Sequence, residues 1–229
     1  MEKLERHFEK ELERLKETLL LLGSRAELSI EEALRALTQR DTELARRVID
    51  NDEEIDQLEL EVDQICTDLM ALRQPIARDL RFIIMALKIA PELERIGDLA
   101  GNISERAIEL AAEPQLKPLI DIPRMAGLAR EMVRLSLDAF VRHDAQAARA
   151  VIARDDQVDA LMEQLFRELL SYMLNDPHAI GRGLRLMMVG KYLERIGDGA
   201  TNICEMVVYL VEGRMIRHGG IHQAGEGRT

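Results

Sequence analysis

Apolar residues recur every three or four positions along almost the whole chain. Leu4, Phe8, Leu12, Leu15, Leu19, Leu22 and Ala26 form one stripe, which continues through Ala33 and Leu37. That period puts the side chains on one face and predicts a first helix. Gly23 interrupts it at a cost of about 1 kcal/mol relative to Ala. Asp41 is the expected N-cap of a second helix. There Leu44, Val48, Asn51, Ile55, Leu58, Val62, Ile65, Leu69 and Leu72 alternate steps of four and three, a coiled-coil-like seam with one polar member, Asn51. Pro75 sets a boundary, and a third helix is expected to run to Ala112.

The segment EPQLKPLIDIP holds Pro114, Pro118 and Pro123 and predicts a linker. The pattern then restarts. A fourth helix is expected over residues 123–142. Asp144 caps a fifth, with Ala147, Val151, Arg154, Val158, Leu161 and Leu165 as its seam. Pro177 opens a sixth that ends near Gly213. The glycine-rich tail, GRMIRHGGIHQAGEGRT, predicts disorder.

The second half copies the first. RDTELARRVIDNDEEID aligns with HDAQAARAVIARDDQVD, which sets Asp52 over Asp155, Asp56 over Asp159 and Asn51 over Arg154. LERIGDLAGNISE, starting at Leu93, and LERIGDGATNICE, starting at Leu193, agree at ten of thirteen positions. The chain therefore reads as all-α, two tandem three-helix units with six long helices. Residues 1–113 form the first unit, 114–122 the linker, 123–213 the second unit and 214–229 the tail.

Composition narrows the functions open to such a fold. Aromatics are 3% of 229 residues, so Leu, Ala, Ile, Val and Met must fill the core. The net charge of −11 repels a phosphate backbone, which argues against nucleic acid and toward cations or basic partner surfaces. Two distant cysteines, Cys66 and Cys204, predict buried, reduced thiols in a cytosolic protein rather than a disulfide framework. The charged N-terminus lacks a signal-peptide core, and no apolar run reaches the ~18 residues of a membrane span. Membrane association is therefore expected only through a partner.

The chemistry lies in recurring carboxylate pairs. Beside the buried stripe of the third helix stand Glu94, Asp98, Asn102 and Glu105. The sixth helix repeats them as Glu194, Asp198, Asn202 and Glu205. The second helix carries Asp52 and Asp56, extended by Glu59 and Asp63. The fifth carries Asp155 and Asp159, although Met162 and Phe166 end that stripe early. Residues four apart share a helix face, so each unit has two pairs that converge if its helices pack flank to flank. Four carboxylates around one point repel unless a cation or an arginine neutralises them. An all-oxygen set suits Mg²⁺, Mn²⁺ or iron and suits Zn²⁺ less well. Solvated acidic faces, or neutralisation by Arg95 and Arg195, are the plain alternatives. Gly97 and Gly197 sit between the acids, where a missing side chain admits a neighbouring helix or an ion.

No Glu-x-x-His pair, Ser/His/Asp set, phosphate loop or Cys–His pair is present, so an enzyme is not expected. Pro91 is read as a local packing feature, since Lys191 takes its place in the second copy.

These duplicated motifs, with RQP…RDLR between Arg73 and Arg81 and KYLERIGDGATNICE from Lys191, resemble the PhoU family over residues 5–213. The resemblance implies two three-helix bundles related by a pseudo-two-fold axis. It also implies a non-enzymatic, cytoplasmic role, peripheral to the inner membrane through partners. Such a protein regulates phosphate uptake and negatively regulates the phosphate-starvation response. Its implied partners are the ATPase subunit of a phosphate ABC transporter, a membrane sensor histidine kinase and a second copy of itself as a homodimer. Metal ions (Mg, Mn, Fe or Zn) would be held by Asp52, Asp56, Glu94 and Asp98, and by Asp155, Asp159, Glu194 and Asp198, with Asn102 and Asn202 secondary. Asp79 lacks a counterpart in the second half, which would make the two sites unequal if it contributes. The residues leave two other readings open: a metal-dependent carboxylate-bridged enzyme, and a metal-free helical adaptor.

Overall fold

A computed structural model describes residues 2–73, 75 and 77–213, and among these every regular element is helical. The tail from residue 214, the side chains of residues 2–7, with Leu4 of the expected first stripe, and those from Arg73 to Arg78 other than Pro75 lie outside the described part. The elements are α1 (Glu2–Gln39), α2 (Thr42–Asp50), α3 (Asp52–Arg73), α4 (Ala77–Ala111), α5 (Asp121–Arg142), α6 (Ala145–Ile152), α7 (Asp155–Asn175) and α8 (Ile180–Glu212). A 3₁₀ turn, Pro177–Ala179, leads into α8.

The six expected rods are present, but the second and fifth are broken. Asn51 ends α2 and Asp52 begins α3; Ala153 and Arg154 separate α6 from α7. An unbroken helix would have turned the amide of Asn51 and the guanidinium of Arg154 into the seam, where an unpaired polar group is costly. The break leaves Asn51 exposed and lets Arg154 reach Glu131 at 2.9 Å. It also makes Asp52 and Asp155 the first residues of their helices, where the positive end of the helix dipole favours a carboxylate.

Both units turn from their first rod to their second in the same way. Arg40 and His143 take left-handed conformations, φ 58° and 54°. The aspartates that follow cap the next helix: Leu44 N–H donates to Asp41 Oδ1 and Ala147 N–H to Asp144 Oδ1, each at 2.9 Å. The Arg40 guanidinium then reaches the end of α4, donating to the carbonyls of Leu110 (3.2 Å), Ala111 (2.9 Å) and Glu113 (2.5 Å). His143 instead stacks on Phe82, which stacks on Phe140 with centroids 4.9 Å apart.

Antiparallel α4 and α8 form the spine, one from each unit. Arg185 binds Glu109 at 2.8 Å and Glu113 at 2.9 Å near one end, and a Cβ on Gly199 would lie 3.3 Å from Ile96 Cδ1 in the middle. α1 and α5 close the second contact between units, where Gly23 accommodates Leu137. Pro91 sits in a helix that continues on both sides of it. Cys66 and Cys204 are fully buried free thiols, and burial pushes both up to about 12, which keeps them protonated.

Candidate functional site

The buried stripe of α4 includes Leu93, Ile96, Ala100, Ile103, Ala107 and Leu110, and α8 repeats it from Leu193 to Leu210. Fixing these positions inward turns Glu94 and Asp98 onto the flank that meets α3. Gly97 makes that meeting close. A Cβ there would stand 2.7 Å from Ile55 Cδ1, 3.2 Å from Ile55 Cγ2 and 3.4 Å from Asp52 Oδ1. The glycine is therefore the seat of α3's first turn, and it sets Asp52 against the acids of α4.

The electrostatics of the first unit follow from this approach. The Asp52 carboxyl is pushed up to about 6 by burial, then by the charges of Asp98 and Asp56 and by a hydrogen bond with Asp98. Between two carboxyl groups such a bond needs one proton, so it favours the protonated form of Asp52. Glu94 is raised as well, first by burial and then by the charges of Asp98, Glu59, Asp56 and Asp52. Arg95 does not relieve them; it lies 3.6 Å from Glu92 on another side of the helix. Among the described residues, no lysine or arginine pairs with Asp52, Asp56, Glu94 or Asp98.

The second unit has the same frame with different neighbours. A Cβ on Gly197 would meet Asp155 Oδ1, a buried atom, at 3.3 Å and Val158 at 3.7 Å. Glu194, the counterpart of Glu94, is held by Lys191 at 2.5 Å, where the first unit has Pro91. Met162, buried, stands where the first unit has Glu59. Asp159 and Asp198 are exposed on the same two helices.

The secondary candidates are placed elsewhere. Asn202 donates to Glu92 Oε2 at 3.4 Å across the spine. Asn102 is half-buried on α4. Asp79 lies fifteen residues before Glu94, about 22 Å along a helix, and lines a cleft with Leu12, Lys16, Phe82 and His143. Two glycines not singled out in the sequence belong with Gly197. Gly183 and Gly190 precede it at intervals of seven and receive Met173, and Leu165 with Met162, respectively. A seven-residue glycine spacing on one helix face was the signal that could have found them.

The carboxylates are gathered but not closed. Among the described residues, no three His, Cys, Asp or Glu side chains are placed to hold one metal ion. The donor set nevertheless fits a hard cation in kind. It is all oxygen, it crowds against a glycine cradle on α4, and its members repel one another, so a cation would relieve what now costs free energy. Asp52, Asp56, Glu94 and Asp98 would hold it in the first unit, and Asp155, Asp159, Glu194 and Asp198 in the second. Among the described residues no helix is long and apolar enough to cross a membrane.

Known proteins share this architecture. The chain matches the PhoU domain over residues 19–107 and again over 122–207. It is 44% identical, over 95% of its length and 98% of the relative's, to a phosphate-specific transport system accessory protein PhoU homolog of Aquifex aeolicus (strain VF5). The crystal structure of PhoU from Pseudomonas aeruginosa superposes with a TM-score of 0.87 at 40% identity, covering 90% of this chain and 100% of that one. The phosphate transport system regulatory protein PhoU from Streptococcus pneumoniae gives 0.86 at 32% identity, covering 92% and 99%. The duplicated motifs, the paired three-helix bundles and these matches across both halves lead to one conclusion: the chain belongs to the PhoU family.

Proposed function

We propose that the protein is a cytoplasmic regulator of phosphate uptake. It acts as a negative regulator and adaptor between the ATPase subunit of a phosphate ABC transporter and a membrane sensor histidine kinase, and it works as a homodimer peripheral to the inner membrane. Family membership supports this reading, together with relatives whose names describe an accessory or regulatory protein of phosphate transport. These names describe no enzyme, and the sequence offers no catalytic set. Deleting the gene should derepress phosphate-scavenging genes in high phosphate; an unchanged response would defeat the adaptor reading. Pull-down of the tagged protein from the same cells should recover the ATPase subunit and the kinase.

Within that role, the acid pairs bind divalent or iron cations. The observation that carries this is the seating of Asp52 on Gly97, which sets acids of α3 against acids of α4. A bound cation would supply positive charge between the two helices and tie them together, so that the outer face of the bundle is presented rigidly. Hydrogen exchange with and without Mn²⁺ should show added protection in α3 and α4; identical protection would remove the metal step. The open arrangement of the carboxylates favours a second reading, a metal-free adaptor. In that case Glu94→Gln and Asp198→Asn should leave signalling intact.

A further inference from the structure

One flank of α7 changes character midway. Asp155 and Asp159 begin it, and Phe166, Leu170 and Leu174 continue it at helical spacing. The three apolar side chains are 44%, 39% and 77% exposed. Leu165 packs on Gly190 and Met173 on Gly183, so α8 runs alongside in the opposite direction, and Leu184, next to Gly183, is also exposed.

The first unit supplies an internal comparison. Buried positions are matched between α3 and α7: Val62 with Leu165, and Cys66 with Leu169. The exposed flank is not. Where α7 has Phe166, Leu170 and Leu174, α3 has Asp63, Thr67 and Ala71, all exposed. The fold thus does not require apolar residues there. Isolated exposed leucines are ordinary, but a contiguous row on one helix flank marks a docking surface.

Charge selects the occupant. Between Asp155 and Arg167, α7 carries four acids and one base, Arg167, which pairs with Glu163 at 3.4 Å, so the stretch that borders the apolar row keeps a net negative charge. At the opposite end of the row the bases Arg182 and Arg185 are engaged by Glu113 and Glu109. A second copy of this chain would bring its own acids and no available basic stretch from this region. We propose that this flank docks a basic amphipathic helix of a partner protein. The partner's apolar face lies on Phe166, Leu170 and Leu174, and its lysines and arginines lie beside the α7 acids. Only the partner's identity rests on the adaptor reading; the apolar row of Phe166, Leu170 and Leu174 does not involve the proposed cation ligands.

The test uses the full chain in EDTA, so that cation uptake does not enter. The probe is a fluorescent designed peptide of about 18 residues, or five helical turns, with leucines on one face and lysines and arginines on the other. Controls replace the leucines by serine, or the basic residues by glutamate. The variant Phe166→Asp, Leu170→Thr, Leu174→Ala installs the residues of α3. Wild type should bind the basic peptide in a salt-sensitive manner and neither control, and the triple variant should bind about tenfold or more weakly. The single variant Leu170→Arg, which keeps the helix and opposes a basic ligand, should show the same loss with unchanged helicity and melting temperature. Equal binding by both variants, or equal binding of the glutamate peptide, would overturn the proposal. So would sedimentation showing that wild type pairs with itself through this flank while the variants stay monomeric.

Discussion

Asp52 rests on Gly97: a Cβ at residue 97 would lie 3.4 Å from its Oδ1 and 2.7 Å from Ile55 Cδ1. Gly197 holds Asp155 in the same way at 3.3 Å. One glycine in each LERIGD motif therefore sets how closely two acid-bearing helices approach.

Replacing Gly97 by Ala should push α3 away. Ile55 Cγ2, fixed by a stiff β-branched rotamer, lies 3.2 Å from the new methyl group, so the side chain has little room to yield. The expected cost is about 1–3 kcal/mol from overpacking, less the helix-propensity gain of Ala. Gly101 is the control on the same helix. Nothing lies within 4 Å of its Cβ position, and Gly101→Ala should stabilise by about 0.5–1 kcal/mol. Urea unfolding of the two variants should give opposite signs, and equal signs would refute the close-approach argument.

The acid cluster should make stability fall as pH rises. Burial, then the charges of Asp98 and Asp56, push the Asp52 carboxyl up to about 6 from 3.8 for the free group, so the folded state favours its protonated form. Its contribution is fully present below the unfolded value and is lost as pH climbs through about 6. Glu94 is raised in the same direction. In EDTA, the stability of Asp52→Asn relative to wild type should therefore increase between about pH 4 and about pH 7. A difference that stays flat across this range would show that the carboxylates do not crowd one another.

Cation binding should reverse that penalty. Mn²⁺, Mg²⁺, Fe or Zn²⁺ should raise the melting temperature of wild type by mass action, most for the oxygen-preferring ions. Asp52→Asn with Asp98→Asn should remove the increment assigned to the first unit, and Asp155→Asn with Asp198→Asn that of the second. Because Lys191 already occupies Glu194 and Met162 replaces Glu59, the first-unit variant should lose more. Calorimetric titration of each variant gives the comparison, and no shift with any metal would favour the metal-free adaptor.

Arg40 should act as a clamp on the end of α4. Arg40→Ala loses three hydrogen bonds to carbonyl groups while keeping a positive φ that suits Ala poorly. A loss of about 1–3 kcal/mol is expected. Arg40→Gly loses the same bonds but fits φ 58°, so it should fall short of Ala's loss by about 1 kcal/mol. Denaturant unfolding would separate the two, and equal losses would mean that the backbone conformation contributes nothing.

Much of the fold was legible because its determinants are local. The three- and four-residue spacing fixed which faces of the helices are buried, Asp41 and Asp144 announced their caps, and the doubled LERIGD announced two units. The breaks at Asn51 and Arg154 were visible only as polar residues in a seam. Whether such a residue is buried, paired or turned outward depends on what packs against the seam, and periodicity along one helix does not carry that information. The acid pairs were likewise legible as flanks, whereas their crowding was not.

The helices, their buried stripes and the carboxylates at i and i+4 were readable from the chain alone, since each depends on neighbours within a turn or two, and the duplication was readable because the same residues are written twice. Which flanks meet was settled by packing in three dimensions. It seated Asp52 and Asp155 on glycines of another helix, turned Arg95 toward Glu92 and Asn202 toward the other unit, and left Phe166, Leu170 and Leu174 uncovered. The difference is one of range: helix formation depends on hydrogen bonds four residues apart, whereas approach between helices is set by the volumes of side chains distant in the chain.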